Sequence, residues 1–224
     1  WPHDLSLIVT GNEINAYFTV ALKALSLIFP DLAVKTRHLG HGMLRVPGGK
    51  MSSRTGDVIA AEKLIAAVTE QVRGNEAVAL GAIKYSILKQ APGRDVIFDT
   101  TKSLSLRGDS GPYLQYAYIR TQSVLKKSGK KPVWSDDALP EEPADVLRLL
   151  PRFGAVAARA AADRSPQQLV TYLTSLAGAF NVYYENYPII GSEEELYRLA
   201  LTAAVGQVLA NGLHLLGIPL PTRM

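Results

Sequence analysis

The chain has 224 residues, 47% of them apolar and 20% charged, and with histidine neutral its formal net charge is +4. That length suits one large domain or two small ones, and the composition excludes wholesale disorder. Zero cysteines exclude a disulfide scaffold, a thiolate metal site and a cysteine nucleophile, and four histidines leave little for a zinc enzyme. No stretch approaches the roughly 18–20 uncharged apolar residues that cross a bilayer.

The N-terminus, Trp1-Pro2-His3-Asp4, has no signal-peptide pattern and no initiator methionine, and it runs directly into an apolar segment. The chain is expected to be the C-terminal part of a longer protein. Leu5 to Val9 is a short apolar run ending in Thr10-Gly11-Asn12, which predicts a buried strand and a turn. Phe18, Ala21, Leu22, Leu25 and Ile28 have helical spacing and predict a helix from Asn15 to Phe29, stopped by Pro30. Val34 to His38 reads as a second strand, and Met43 to Val46 as a third that enters the Pro47-Gly48-Gly49 turn. Strand, helix, strand in this order is the signature of a parallel sheet.

Beyond Gly56 the pattern is helical. One helix is predicted over Val58 to Val72, and Asn75 is placed to cap a second that ends before Pro92-Gly93. Asp95 to Asp99 is a lone strand-like interruption, and Pro112 stands at the start of a helix over Tyr113 to Lys127. Ser128 to Pro143 reads as a linker or exposed loop. Three helices follow: Pro143 to Asp163, bent near Pro151; Ser165, as cap, to Asn186; and one opened by a Ser192 to Glu195 capping box that runs to Leu216.

The charge is unevenly placed. Between Lys84 and Pro132 ten lysines and arginines face only Asp95, Asp99 and Asp109, and between Lys35 and Arg54 five basic residues face no acid. A basic middle of this kind is either a phosphate-facing surface or an unevenly charged solvated one. Gly48 to Gly56 (GGKMSSRTG) offers backbone amides, a lysine and hydroxyls to a polyphosphate, although the Walker A order is absent. Tyr113, Tyr116 and Arg120 lie on one helix face. They are either a platform for unpaired bases, each stack worth roughly 1–3 kcal/mol, or half-buried core with a snorkelling arginine. The three tyrosines of Asn181 to Tyr187 bridge core and solvent, and His38 and His41 flank Gly40 without metal or triad spacing.

In order along the chain, these segments resemble the C-terminal portion of the arginyl-tRNA synthetases. Lys50-Met51-Ser52-Ser53-Arg54 resembles the KMSKS signature of class I synthetases. Gly111 to Arg120 (GPYLQYAYIR) is similar to the arginyl family's Gly-Pro-Tyr-x-Gln-Tyr-Ala-x-x-Arg helix, and Gly212 to Met224 is similar to its C-terminus. The resemblance implies a mainly α chain: the C-terminal part of a Rossmann-type α/β catalytic domain (residues 1–56), a helical stem-contact region (57–110) and an all-α, DALR-type anticodon-binding bundle (111–224). It implies ligation of arginine to its tRNA through an arginyl-adenylate, with ATP and its Mg2+, arginine and the arginine tRNA as partners, in a monomeric cytoplasmic protein with no membrane role. Lys50, Ser52 and Ser53 would be catalytic, and Gly42, Lys50, Met51 and Ser52 would hold ATP. Tyr113, Tyr116, Arg120, Tyr183 and Met224 would contact the tRNA.

The sequence departs from that pattern in places. Ser53 replaces the second lysine of KMSKS, Thr55 stands where many relatives have lysine, and Ile14 and Tyr17 stand where the family usually has Gln and His. The HIGH half of the fold is absent, so this chain alone is not expected to aminoacylate, and residues 1–50 are expected to be poorly stable by themselves. A non-catalytic tRNA-binding module, one half of a split synthetase, and a helical protein used in protein–protein assembly remain the alternatives.

Overall fold

The computed structural model describes residues 2–45, 60–133 and 145–224. It has two compact units, Trp1–Met51 with Gln90–Phe98, and Ser52–Lys89 with Asp99–Met224. The loop from Lys50 to Arg54 lies outside the described residues, as does most of the Ser128 to Pro143 segment.

In the first unit, β1 (Ser6–Gly11) is followed by a 3-10 turn, α1 (Asn15–Ile28), α2 (Pro30–Lys35) and β2 (Thr36–His41). β1 and β2 pair in parallel, Ser6 opposite Thr36 through Gly11 opposite His41, so the expected strand–helix–strand unit is present. The second strand starts later than its apolar residues imply. Pro30, with its φ already helical, opens a short helix with Asp31 in the first turn, and that helix takes Val34 and Lys35.

The third strand, β3 (Leu44–Arg45), pairs in parallel with β4 (Val96–Ile97), the segment that read as a lone interruption. Asp95 pins the pair, accepting from the Met43 amide at 2.9 Å and from the Arg45 guanidinium at 2.5 Å. Here Gly42 is needed for close approach, since a Cβ would sit 2.0 Å from the Arg94 carbonyl oxygen.

Among its described residues the second unit is built of helices: α3 (Ala61–Gln71), α4 (Glu76–Leu88), α5 (Thr100–Ser103), α6 (Gly111–Ser128), α7 (Asp145–Leu149), α8 (Phe153–Ala162), α9 (Gln167–Asn186) and α10 (Glu195–Leu215). The Asn75 cap is present, its Oδ1 accepting from the Val78 amide. The bend near Pro151 is a 3-10 turn over Leu150–Arg152. One core joins Leu114 and Ala117 of α6, Leu173, Leu176 and Phe180 of α9, and Leu201, Val205, Leu209 and Leu213 of α10, all fully buried. Helices α4 and α6 approach backbone to backbone, because a Cβ on Gly111 would lie 2.1 Å from the Gly81 carbonyl oxygen.

Two of the expected caps are built differently. Helix α9 begins after Pro166, and its first amides are met by the Ser165 and Pro166 carbonyls instead of a side chain. At α10 no side chain closes a capping box. The Ser192 hydroxyl donates to the Ile189 carbonyl, and the Glu195 carboxylate accepts from Lys130 Nζ at 2.7 Å and the Gly191 amide at 3.1 Å. A lysine and a loop amide thus draw away the carboxylate that a capping box would turn back on its own helix.

Two outcomes test this packing. Gly111→Ala should destabilise the chain by about 1–3 kcal/mol in urea unfolding, through overpacking against Gly81. Gly154→Ala, in α8 with nothing within 4 Å of the new methyl, should instead stabilise by about 0.5–1 kcal/mol. The bonds from Lys130 and Gly191 hold the Glu195 carboxyl below its ordinary value of 4.5. A depressed carboxyl contributes stability that is present above that ordinary value and lost as pH falls through the folded one. Glu195→Gln should therefore lower the melting temperature near neutral pH and shrink the difference from wild type on the acid side of 4.5.

Candidate nucleic-acid interface

Ser110 starts α6 by accepting from the Tyr113 amide at 3.1 Å, with Pro112 in the first turn. Gly129 stops it in the left-handed region at φ 65°, just after Lys126 and Lys127, which complement the negative end of the helix. Leu114, Ala117, Thr121 and Val124 are buried on one face. The adjoining strip carries Tyr116, Arg120, Ser123 and Lys127 and forms one side of an open groove of about 590 Å³. Tyr184, near the end of α9, and Tyr187 to Ile190, which follow it, form the other side. A volume of this order is within the range of small-molecule sites.

Arg120 organises the groove. Its guanidinium carbon lies 4.9 Å from the Tyr116 ring centre and 4.7 Å from that of Tyr184, and Nη1 donates to Asn181 Oδ1 at 2.7 Å. A cation between two rings contributes about 0.5–2 kcal/mol per contact and fixes both planes. The result is a pair of immobilised aromatic rings beside a lysine and a hydroxyl. Those groups can stack unpaired bases and meet a phosphate.

The expected tRNA-contacting residues separate. Tyr116 and Arg120 share the groove. Tyr113 is half-buried and packs against the main core, so it falls outside the groove. Tyr183 is a correction: it is 5% exposed, part of the core, and burial pushes its hydroxyl pKa up. Tyr184, one residue on, takes the groove position because it lies about 100° around the helix. Met224 is exposed and lies next to Arg223, whose carbonyl accepts from Asn75 Nδ2 at 3.1 Å; it does not line the groove.

Of the residues assigned to ATP and catalysis, Lys50, Met51, Ser52 and Ser53 lie outside the described residues, and Gly42 is accounted for by the Arg94 contact. His38 is a satisfied structural residue, stacked on Phe18 at 4.1 Å with Nε2 2.8 Å from Thr10 Oγ1. Among the described residues no cluster of three His, Asp or Glu side chains is placed to hold a metal, and no helix is long and apolar enough to cross a membrane. Sequence reasoning missed Tyr184 and Tyr187 as groove residues. Tyr184 stands in the last turn of α9 and Tyr187 just beyond it, and no spacing within the helix sets them apart from Tyr183.

Residues 114–224 match the DALR anticodon binding domain. The arginine–tRNA ligase of Bacteroides fragilis is 32% identical over 100% of this chain, and that of Cutibacterium acnes is 34% identical over 99%. The arginyl-tRNA synthetase structure of Thermus thermophilus superposes with a TM-score of 0.84 at 29% identity, over 99% of this chain and 41% of that one. The chain spans 42% and 43% of the length of the two ligases. Mainly helical, with small parallel sheets among its described residues, the chain is homologous to the C-terminal part of the arginyl-tRNA synthetases and carries a DALR anticodon binding domain over residues 114–224.

Proposed function

We propose that this chain is the tRNA-reading part of an arginine–tRNA ligase and that the α6–α9 groove receives the anticodon loop. The observation that carries the reading is the Tyr116–Arg120–Tyr184 sandwich facing an open groove inside the DALR domain. An anticodon loop presents unstacked bases, and fixed aromatic planes with a cation behind them are what such bases stack on. Arg120 acts chiefly by holding the rings, because its Nη1 is engaged by Asn181, while Lys127, which also lines the groove, meets a phosphate. Residues 57–110 contact the tRNA stem.

In the complete enzyme, residues 1–56 close one side of a Rossmann catalytic domain in which arginine reacts with ATP to give arginyl-adenylate. Lys50 and the hydroxyls of Ser52 and Ser53 stabilise the phosphates as pyrophosphate leaves, an electrostatic role aimed at developing charge. Mg2+ arrives with the ATP, and Gly42 and Met51 border the nucleotide. The parallel pairing of β1 with β2 supports this assignment. So does the apolar surface that the unit leaves open, with Val9 59%, Val20 70% and Leu27 75% exposed. The reading makes the protein a component of translation in the cytoplasm and a monomer.

Equilibrium binding of the chain to an arginine tRNA, at two salt concentrations and with the middle anticodon base changed as control, tests the groove. Tyr116→Ala should weaken binding by roughly 1–3 kcal/mol, the value of one base stack. Arg120→Ala, which frees both rings, should weaken it by a similar amount and reduce discrimination at one anticodon base. Unchanged binding in both variants would refute the anticodon assignment. Weak binding that ignores the base and collapses with salt would leave only a basic surface.

A further inference from the structure

Beyond Tyr184, the side of the groove facing α6 is an irregular segment, Tyr187 to Ile190. Tyr187 leaves α9 in an extended conformation, φ −124° and ψ 111°, as a residue before proline must, and Gly191 turns the chain at φ 80°. A groove wall of this type keeps its shape only if something behind it takes up its backbone groups. The first turn of α10 does this. Arg198 Nη1 donates to the Pro188 carbonyl at 2.6 Å, while Nε and Nη2 both donate to Glu194 Oε2, at 3.0 and 2.8 Å. The same guanidinium carbon lies 5.4 Å from the centre of the Tyr187 ring. Tyr183 lies against that ring too, with the centroids 5.0 Å apart. Further along the wall, Ile189 is seated between Val124 and Leu199, and the Gly191 amide donates to Glu195.

Arg198 does not line the groove, and its side chain is only 13% exposed. Its charge is matched by Glu194, so it has little to offer a phosphate. It holds two parts of the wall, the Pro188 carbonyl and the Tyr187 ring, which is 46% exposed, and is itself anchored by the Glu194 carboxylate at the start of α10. A lysine would keep the charge and lose the fork. From this geometry we infer that Arg198 is a positioning residue for nucleic-acid recognition. It sets the plane of Tyr187, which completes the groove as an additional stacking platform, and thereby sets which base the groove accepts. This inference rests on reading the groove as the tRNA site and adds a residue that acts on it from behind. Pre-organisation of this kind raises affinity by reducing what must be ordered on binding.

The test is a double-mutant cycle on the full chain, binding an arginine tRNA and its middle-base variant across a salt series. Arg198→Ala should lower affinity for the matched tRNA about tenfold, the size of one charge-assisted hydrogen bond, and narrow the preference between the two tRNAs. Arg198→Lys should move both quantities in the same direction and guards against an alanine variant that fails to fold. In a Tyr187→Ala background the effect of Arg198→Ala should fall below about twofold, because residues acting through one another are non-additive. The dependence of affinity on salt should keep its slope. A slope reduced by about one would make Arg198 a phosphate contact and overturn the inference. An undiminished effect in the Tyr187→Ala background, or no effect at all, would overturn it as well. If Tyr116→Ala and the base change weaken binding while both Arg198 variants do not, this inference alone falls; if neither Tyr116→Ala nor the base change matters, the groove reading falls and takes this inference with it.

Discussion

Helix α6 is held on two sides by contacts that tolerate no side chain, and the groove follows from that. At its start Gly111 meets the Gly81 carbonyl of α4, and further along Thr121 occupies the space a Cβ on Gly206 of α10 would need, 2.5 Å from the hydroxyl. With α9 added, the strip carrying Leu114, Ala117, Thr121 and Val124 is sealed. The helix cannot rotate about its axis without breaking one of these contacts, since close-packed interiors accommodate shape changes poorly. The strip left over carries Tyr116, Arg120, Ser123 and Lys127. Core packing and the groove face are therefore two consequences of one constraint.

The groove and its supports are built from cations and rings, and several of the cations in and behind it are committed inward. Arg120 donates to Asn181 between two tyrosines, Arg198 is matched by Glu194, and Lys130 is matched by Glu195. Elsewhere in the basic middle of the sequence Lys89 pairs with Asp109 and Lys102 with Asp99. Exposed pairs of this kind contribute little stability, but they reduce the positive field that a count of lysines and arginines implies. What the ring-bound arginines contribute is geometry: each fixes an aromatic plane through its own flat guanidinium.

The two units differ in how completely they bury themselves. The helical unit encloses its core, with Leu173, Leu176, Phe180, Leu201 and Leu209 fully inaccessible. The α/β unit leaves β1 with Leu7 at 47% and Val9 at 59% exposure, and no residue of α1 is fully buried. A parallel sheet is normally covered on both faces, so this surface is of the kind that further strands and helices cover. Its own internal order rests on polar details, Asp95 between Met43 and Arg45 and His38 between Phe18 and Thr10.

Local patterns in the sequence determined a good deal. Hydrophobic spacing located α1, helix-start signals placed α6, α9 and α10, Asn75 was legible as the cap of α4, and the Gly-Pro-Tyr helix pointed to Tyr116 and Arg120. These are effects within one or two turns of chain, where side chains three or four residues apart decide the outcome. Pairings between distant segments were decided only by tertiary structure. The β3–β4 pair joins residues some fifty positions apart, and Glu195 left its capping box for Lys130, sixty-five residues away. Whether Tyr183 or Tyr184 faces the groove depended on which side of α9 the core took, which no spacing within α9 specifies. Two tyrosines in sequence are chemically equal until packing buries one of them, and the other then faces the groove.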